Sequence, residues 1–303
     1  MVIKESGKIS DGLYVIGPAA IPVYLLDGPE PILFDGGFTA LAHIYETDIK
    51  NILGKRKPSY LFITHSHFDH IGAVSHFKQV WPDLKIGGSE RCREILAKQS
   101  AVQLMKDLSF ESTQNLINMG IHPLNERPFE PFDMDISVQP EKEMNLSSGL
   151  SLTGINTPGH TWDFISYWIS DKKVLIASEA VACYQNGGYL QTEFLIDFDA
   201  YLESLIKIRN LNPTVLCAGH NAVFTDEDAM RHIDASVEAA NHYLTMTESF
   251  LREEKGHIER SAARVKAAEW DDRPWPKQPE SAYLLNTRQR VKTISARMNQ
   301  HQE

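Results

Sequence analysis

Apolar residues follow two regimes along the chain. Up to about residue 226 they gather in short runs closed by turn residues, and beyond it they recur at three- and four-residue steps. The first runs are Leu13-Tyr14-Val15-Ile16, closed by Gly17-Pro18, then Pro22 to Leu26, closed by Asp27-Gly28, and Ile32-Leu33-Phe34, closed by Asp35-Gly36-Gly37. That pattern predicts a β-meander. Residues 39–54 read as a helix that stops at Gly54. From residue 58 strands alternate with helices. Tyr60 to Thr64 is a continuous run, as expected of a strand buried on both faces. A helix is expected from about Ile71 to Phe77, mostly helix over 89–119, and strands over 129–155. Tyr167-Trp168-Ile169 and Val174-Leu175-Ile176 flank Asp171-Lys172-Lys173, a hairpin pattern. Asp199 is expected to cap a helix that runs to about Arg209, and Thr214 to Ala218 reads as another buried strand.

After residue 226 the strands cease. Met230, Ile233, Val237, Ala240, Leu244 and Leu251 mark a long amphipathic helix, and 257–268 a shorter one. Trp270 to Glu280 holds Pro274, Pro276 and Pro279 and reads as a loop, before a last helix marked by Leu284, Val291, Ile294 and Met298. The chain therefore divides into an α/β part, 1–226, and a helical extension, 227–303.

Composition narrows the function classes. Of 303 residues, 42% are hydrophobic and 23% charged, which is ordinary for a globular chain. Acidic residues outnumber basic ones 40 to 30, for a net charge of −10, which argues against nucleic-acid binding and against docking on anionic membranes. No apolar run reaches the roughly 18 residues of a membrane span. Met1 to Glu5 carries no apolar signal core. Cys92, Cys183 and Cys217 form no paired motif, so no disulfide framework is expected and a cytoplasmic location is.

The chemistry concentrates in His65-Ser66-His67-Phe68-Asp69-His70, directly after the run Tyr60 to Thr64. Imidazoles and a carboxylate at this density suit zinc, iron or manganese. Three more candidates also follow predicted strands: His160 after 150–156, Glu179 after Val174 to Ser178, and His220 after Thr214 to Gly219. Strand ends are where the functional loops of layered α/β folds gather. His43, His76, His122, His232, His242, His257 and His301 lack that context and read as surface or packing residues. Cys183 reads as a packed thiol, Asp197 and Asp199 as turn and cap, and Gly187-Gly188 as a turn. Trp270, Trp275 and Tyr283 are equally consistent with a lid and with packing of the extension.

The succession HxHxDH, Thr157-Pro158-Gly159-His160-Thr161, an acidic residue after a strand, and Gly219-His220 resembles the metallo-β-lactamase superfamily. Phe34-Asp35-Gly36-Gly37 is similar to that family's Asp-Thr-Gly strand end. The resemblance implies a four-layer αββα sandwich with two divalent metal ions at one edge. By position, His65, His67 and His160 would hold the first ion, and Asp69, His70 and His220 the second. Glu179 falls on the bridging position, where the family usually has Gly-Asp and this chain has Ser178-Glu179. Ser89-Glu90-Arg91, Ser100-Ala101-Val102 and Ala200 to Leu205 further resemble the quinolone-signal response thioesterase branch, which has an iron centre, added C-terminal helices and an aminobenzoylacetyl-CoA substrate. Cys183 stands where that branch carries an acidic residue, so a shifted substrate preference is expected.

The implied activity is hydrolysis of an ester or acyl-CoA-like thioester. A divalent ion lowers the pKa of bound water from 15.7 toward about 7, so no protein nucleophile is needed. Asp69 would orient the hydroxide and carry a proton to the leaving group. Cys183, Phe194, Tyr283, Asn286 and Thr287 are the candidate substrate contacts. Thr287 shares a stripe with Leu284 and Val291, so it either faces a pocket or is tolerated in packing. Lactone hydrolysis, with the same ligands, is the enzymatic alternative. A regulatory protein acting through a partner, or a homodimer, is the alternative from another class. Flavodiiron-type redox chemistry fits less well, because those relatives usually show Glu where His67 stands.

Overall fold

A computed structural model describes residues 1–118, 120, 127–146, 149–275 and 277–300. Its strands are β1 (Val2–Ile3), β2 (Gly7–Ser10), β3 (Leu13–Ile16), β4 (Val23–Leu26), β5 (Ile32–Phe34), β6 (Tyr60–Phe62), β7 (Lys85–Gly88), β8 (Ile136–Ser137), β9 (Glu143–Asn145), β10 (Ser151–Asn156), β11 (Ile165–Ile169), β12 (Val174–Ser178), β13 (Cys183–Tyr184), β14 (Leu190–Gln191), β15 (Val215–Ala218) and β16 (Val223–Thr225). Its helices are α1 (Ala42–Leu53), α2 (Phe68–Ile71), α3 (Val74–Val80), α4 (Glu90–Leu96), α5 (Gln99–Asn118), α6 (Phe198–Leu211), α7 (Glu227–Glu253), α8 (Ile258–Glu269) and α9 (Glu280–Gln300). One seven-stranded sheet has the order β2-β3-β4-β5-β6-β7-β8, and the other β1-β16-β15-β12-β11-β10-β9. A small hairpin, β13-β14, stands apart.

The period of two along each strand decides which layer a side chain enters. On β4, Tyr24 and Leu26 point between the sheets, while Val23 and Leu25 point to the helices of the first half. On β15, Val215 and Cys217 point between the sheets, and Leu216 and Ala218 point to the helices of the second half. Both faces of each central strand are buried, so its sequence is continuously apolar. Three cores result. One lies between the sheets, one joins the first sheet to α1, α3, α4 and α5, and one joins the second sheet to α6 through α9. This is the αββα sandwich with helices at the C-terminus.

The C-terminal helices do not build a core of their own. Ile233, Ala240, Tyr243 and Leu251 of α7, Val265 of α8, and Val291 and Ile294 of α9 share one cluster with Leu175, Leu216 and Leu205. No helix among the described residues is long and apolar enough to cross a membrane. Pro276, His122 and His301 lie outside the described residues.

Some expected elements differ. The helix expected over Ile71 to Phe77 is two, α2 and α3, parted at Gly72-Ala73. There the chain crosses the loop after β5 so closely that a Cβ on Gly72 would sit 2.4 Å from the Thr39 nitrogen. Asp197, not Asp199, caps α6, accepting from the Ala200 amide at 2.9 Å. Strands β7 and β16 carried no strong apolar signal. In β7, Gly87 and Gly88 stand where a Cβ would come within 2.6 Å of Phe62 and of Met134. Neighbours supply the apolar bulk that the strand itself lacks.

His232 is packed in the second half. Its ring stacks on Phe224 at 3.8 Å, and Nε2–H donates to the Ala182 carbonyl at 2.8 Å. Burial pushes its pKa down from 6.5 to about 4. The unfolded chain therefore takes up this proton first as pH falls. Stability from the neutral ring is complete above pH 6.5 and is lost as pH drops toward 4, by up to about 3 kcal/mol. His232→Gln should flatten that part of a urea stability-against-pH curve. A variant as acid-sensitive as the parent over this window would refute the assignment.

Candidate metal centre

Four chain segments meet at one edge of the sandwich. The loop after β6 brings His65, His67, Asp69 and His70, the loop after β10 brings His160, the end of β12 brings Glu179, and the end of β15 brings His220. His65, His67 and His160 form one group of potential ligands, and Asp69, His70, Glu179 and His220 another. Within each group one donor atom per residue lies within 4.8 Å of the rest. His160 Nε2 stands 3.0 Å from His67 Nδ1. Glu179 lies between the groups. Its Oε1 is 2.8 Å from His70 Nε2 and 2.7 Å from His220 Nε2, while its Oε2 is 3.9 Å from His65 Nε2. Asp69 Oδ2 is 3.6 Å from both His70 Nε2 and His220 Nε2.

Outer contacts set which nitrogen each ring presents. His70 Nδ1–H donates to Asp35 Oδ2 at 2.9 Å, and His220 Nδ1–H donates to the Ala20 carbonyl at 2.7 Å. His160 Nδ1–H donates to the Glu193 carbonyl. The Thr64 hydroxyl donates to Asp35 and, at 3.0 Å, accepts from His65 Nδ1–H. Asp35 also accepts from the Thr64 amide at 2.8 Å, and Asp163 accepts from the Ser66 amide at 2.8 Å, which holds the loop's backbone. Each Nε2 of these four rings is thereby aimed inward.

The electrostatics suit cation binding. Burial, with the neighbouring His70 and His67, lowers the His65 pKa well below its ordinary value, so the ring is neutral. Burial, then His67, pushes His160 down to about 3. In the other group burial opposes charge, yet Glu179, Asp69 and Asp35 raise His70 well above its ordinary value. Burial would raise Glu179, but His70 and His220 outweigh it and hold the carboxyl well below its usual range.

The residues fit a metal pair on their own geometry. His65 Nε2 is buried without a hydrogen-bond partner, and its ring meets those of His67 and His160 edge to face, with centroids 4.6 and 5.0 Å away. A tetrahedral ion with bonds of 2.0–2.1 Å spaces its ligands at about 3.3 Å. The 3.0 Å between His160 and His67 is close to that. The glutamate is accommodated too. A Cβ on Gly219 would lie 2.5 Å from Glu179 Oε1, so the absent side chain at 219 leaves room for the longer acid. The pairing of β12 with β15 also shifts register between Ile176 and Ser178, and Ser178 takes a positive φ of 48° before Glu179.

A sequence profile of the metallo-beta-lactamase superfamily matches residues 16–220. The chain belongs to that superfamily. Beta-lactamase-like protein 2 homolog of Caenorhabditis elegans is 26% identical over 285 residues, 90% of this chain and 81% of that protein. Atrochrysone carboxyl ACP thioesterase of Aspergillus fumigatus is more distant, at 21% over 203 residues, 66% of this chain and 51% of that protein. The crystal structure of the archaeal superfamily protein ST1585 from Sulfolobus tokodaii superposes with a TM-score of 0.60 at 18% identity, over 94% of this chain and 98% of that one. Members of the superfamily are mostly metal-dependent hydrolases.

The seven expected ligand residues are thus brought to one edge. The expected substrate contacts are placed differently. Phe194 and Thr287 are fully buried, as is Tyr283. Phe194 packs against Phe198, Tyr201 and Tyr243, Thr287 Oγ1 accepts from Arg290, and Tyr283 stacks on Trp270 and donates to Glu269. Phe194, on the segment before α6, and Tyr283 and Thr287, on α9, are buried where α9 packs against α6, α7 and α8. Cys183 is 2% exposed. Asn286 is partly exposed and donates to Glu193 Oε2 at 3.2 Å. Of the possible lid, Trp270 is buried by packing, while Trp275 is exposed and its carbonyl accepts from Asn186.

Residues that support the site went unnoticed in the sequence. Arg290, with no exposure at all, donates to the Thr192 carbonyl at 2.7 Å. Gln289 and Thr293 both donate to the Leu195 carbonyl at 2.9 Å. With Asn286, these α9 side chains clasp segment 192–195, whose Glu193 carbonyl in turn holds His160. The available signal was a charged residue beside Val291 on the apolar stripe of the last helix. Asp35 carried the strand-end signal that marked the ligands, but no role was attached to it.

Proposed function

We propose that this chain is a thioester hydrolase with a binuclear metal centre. His65, His67 and His160 would hold one ion and Asp69, His70 and His220 the other, with Glu179 placed to serve both. The observation that carries this reading is the placement of Glu179, with one carboxylate oxygen facing each group of donors. Imidazole with carboxylate suits zinc, iron or manganese. When bound, such a pair supplies a Lewis acid for the acyl carbonyl and acidifies water to near neutrality.

The protein's own groups then divide the work. Asp35, Ala20, Thr64 and Glu193 fix the rings through their outer nitrogens. Of the two central carboxylates, Asp69 has a side chain 18% exposed against 4% for Glu179. Asp69 is therefore the one that substrate can reach, and it moves the proton. A thiolate leaves with little help from an acid, so one modest shuttle suffices for a thioester. The name of one relative, an ACP thioesterase, supports the same class, and an acyl-CoA-like thioester is the substrate we assign to this chain. Three free, buried cysteines favour a reducing cytoplasm as the setting.

Protein purified without chelator, assayed for metal content and against acyl-CoA, aryl ester and lactone panels, tests the reading. Cleavage of acyl-CoA with two ions per chain supports it. A strong preference for lactones would transfer the assignment to lactone hydrolysis. Full metal loading without turnover on any panel member would favour a regulatory role.

Gly219→Ala provides a sharper check of the bridge. The added methyl must push the Glu179 carboxylate aside, so activity should fall at least tenfold, about 1.4 kcal/mol. Adding Glu179→Asp to that variant withdraws the carboxylate and should recover part of the loss. Strictly additive losses in the double variant would show that the two residues do not share the space.

A further inference from the structure

A second cluster of donors lies outside the seven-residue set. His43 and Glu46 are three residues apart on α1 and so share a face of that helix. His76 reaches the same point from α3. One donor atom from each residue falls within 4.8 Å of the other two. The focus is Glu46 Oε2, 2.7 Å from His76 Nε2 and 3.4 Å from His43 Nδ1. The two imidazoles meet edge to face with centroids 4.8 Å apart. In isolation His43 and His76 read as surface or packing residues, because neither follows a strand. The fold is what brings them together.

We propose that His43, Glu46 and His76 form a third metal site, peripheral to the catalytic edge, that takes a zinc-like transition-metal ion. Two imidazoles and one carboxylate select borderline ions such as Zn²⁺ over Mg²⁺ or Ca²⁺, which prefer all-oxygen shells. Tetrahedral Zn²⁺ needs ligand spacings of about 3.3 Å. The two contacts to Glu46 Oε2, 2.7 and 3.4 Å, bracket that value. The widest pair must draw together, and His43 is the residue able to move, since its side chain is 42% exposed. Glu46 and His76 are mostly buried and supply a fixed base. The open side at His43 leaves the fourth position to water.

The carboxylate is ready for the role. Burial would raise its pKa, but Lys50 and His76 outweigh it and hold Glu46 down at about 2. Lys50 engages Glu46 Oε1, which leaves Oε2 for the ion. Without an ion the same atoms form a histidine–carboxylate hydrogen bond, so binding exchanges that bond and its proton for metal ligation. The occupant would tie α1 to α3.

The test is a metal count. Full-length protein is stripped with chelator, dialysed against buffered Zn²⁺ and analysed for zinc per chain, beside a His43→Ala/His76→Gln variant. The parent should carry one more equivalent of zinc than the variant, and zinc should raise its Tm further. Both proteins should hold the same amount at the catalytic edge, read from equal hydrolysis by the loaded forms. Equal zinc content in folded parent and variant overturns the proposal, whatever that content is. The difference is read independently of how many ions the catalytic edge holds, so failure of one assignment does not disguise failure of the other. Glu46→Gln is a milder companion that keeps the size of the side chain. If the double variant unfolds, loss of the extra equivalent in Glu46→Gln supports the site, and its retention there rules it out. Mg²⁺ in place of Zn²⁺ should give no difference between parent and variants.

Discussion

Replacing Glu179 with alanine is expected to cut hydrolysis at least 100-fold, about 2.7 kcal/mol, and to lower metal content below that of the parent. Its carboxylate faces donors of both groups, with Oε1 toward His70 and His220 and Oε2 toward His65. Without it His65, His67 and His160 remain as three imidazoles, while Asp69, His70 and His220 lose their buried anion. The second group should therefore empty first. Glu179→Gln separates charge from bulk, because it fills the space above Gly219 yet carries no anion. Glu179→Asp should stay within tenfold of the parent. Elemental analysis beside kcat on the best thioester decides it. A fully loaded, fully active alanine variant would remove Glu179 from the centre and with it the bridge.

Arg290→Met should be the most damaging change far from the ligands. The guanidinium is fully buried, lies 4.4 Å over the Tyr243 ring, and donates to Thr192 and Thr287. Burial works against its charge, and Tyr243, Glu193 and Glu269 more than offset that. Methionine keeps much of the stem but removes the buried positive charge that faces those acids and the donor to the Thr192 carbonyl, at about 3–5 kcal/mol. Urea unfolding of the metal-free protein reads that loss. A second effect is expected at a distance. Segment 192–195 loosens, the Glu193 carbonyl moves, and His160 loses its fixed orientation, which should weaken zinc affinity at the first group 10- to 100-fold. Arg290→Lys should recover stability in part. Lowered stability with unchanged zinc affinity would mean that α9 braces the sheet without orienting His160.

The seven residues that cluster at the sandwich edge could be read from the sequence because strand ends are local features. A continuous apolar run announces a central strand, and the polar residue that ends it must lie at the sandwich edge. That logic found His65 through His70, His160, Glu179 and His220 without knowledge of how the strands pair. It failed where the bulk comes from elsewhere, as in β7, whose glycines are covered by Phe62 and Met134. It failed again where a role depends on tertiary partners. Nothing local marks the Glu193 carbonyl as the partner of His160, or separates Phe194 in a buried aromatic cluster from Phe194 in a pocket. Asp35 closes a strand and Arg290 sits on the apolar stripe of the last helix, but neither position by itself names a partner. Their partners, His70 and Thr192, lie 35 and 98 residues away.

The donors are also divided unequally in time. His65, His67, Asp69 and His70 leave the first sheet, whereas His160, Glu179 and His220 leave the second. A chain emerging from the ribosome therefore carries a histidine-rich loop long before the rest of the pocket exists. The first cage cannot close until β10 and the loop after it have been made, the second until β15 has, and both need the two sheets docked. Early capture of an ion by the loop alone would be loose and reversible, and the tight complex would form as one of the last events of folding. Ions held this way would join segments 93 residues apart at His67 and His160 and 109 apart at His70 and Glu179, so they would oppose separation of the halves more than local fraying. Chelation should accordingly quicken global unfolding and leave hydrogen exchange within α5, which supplies no donor, nearly unchanged.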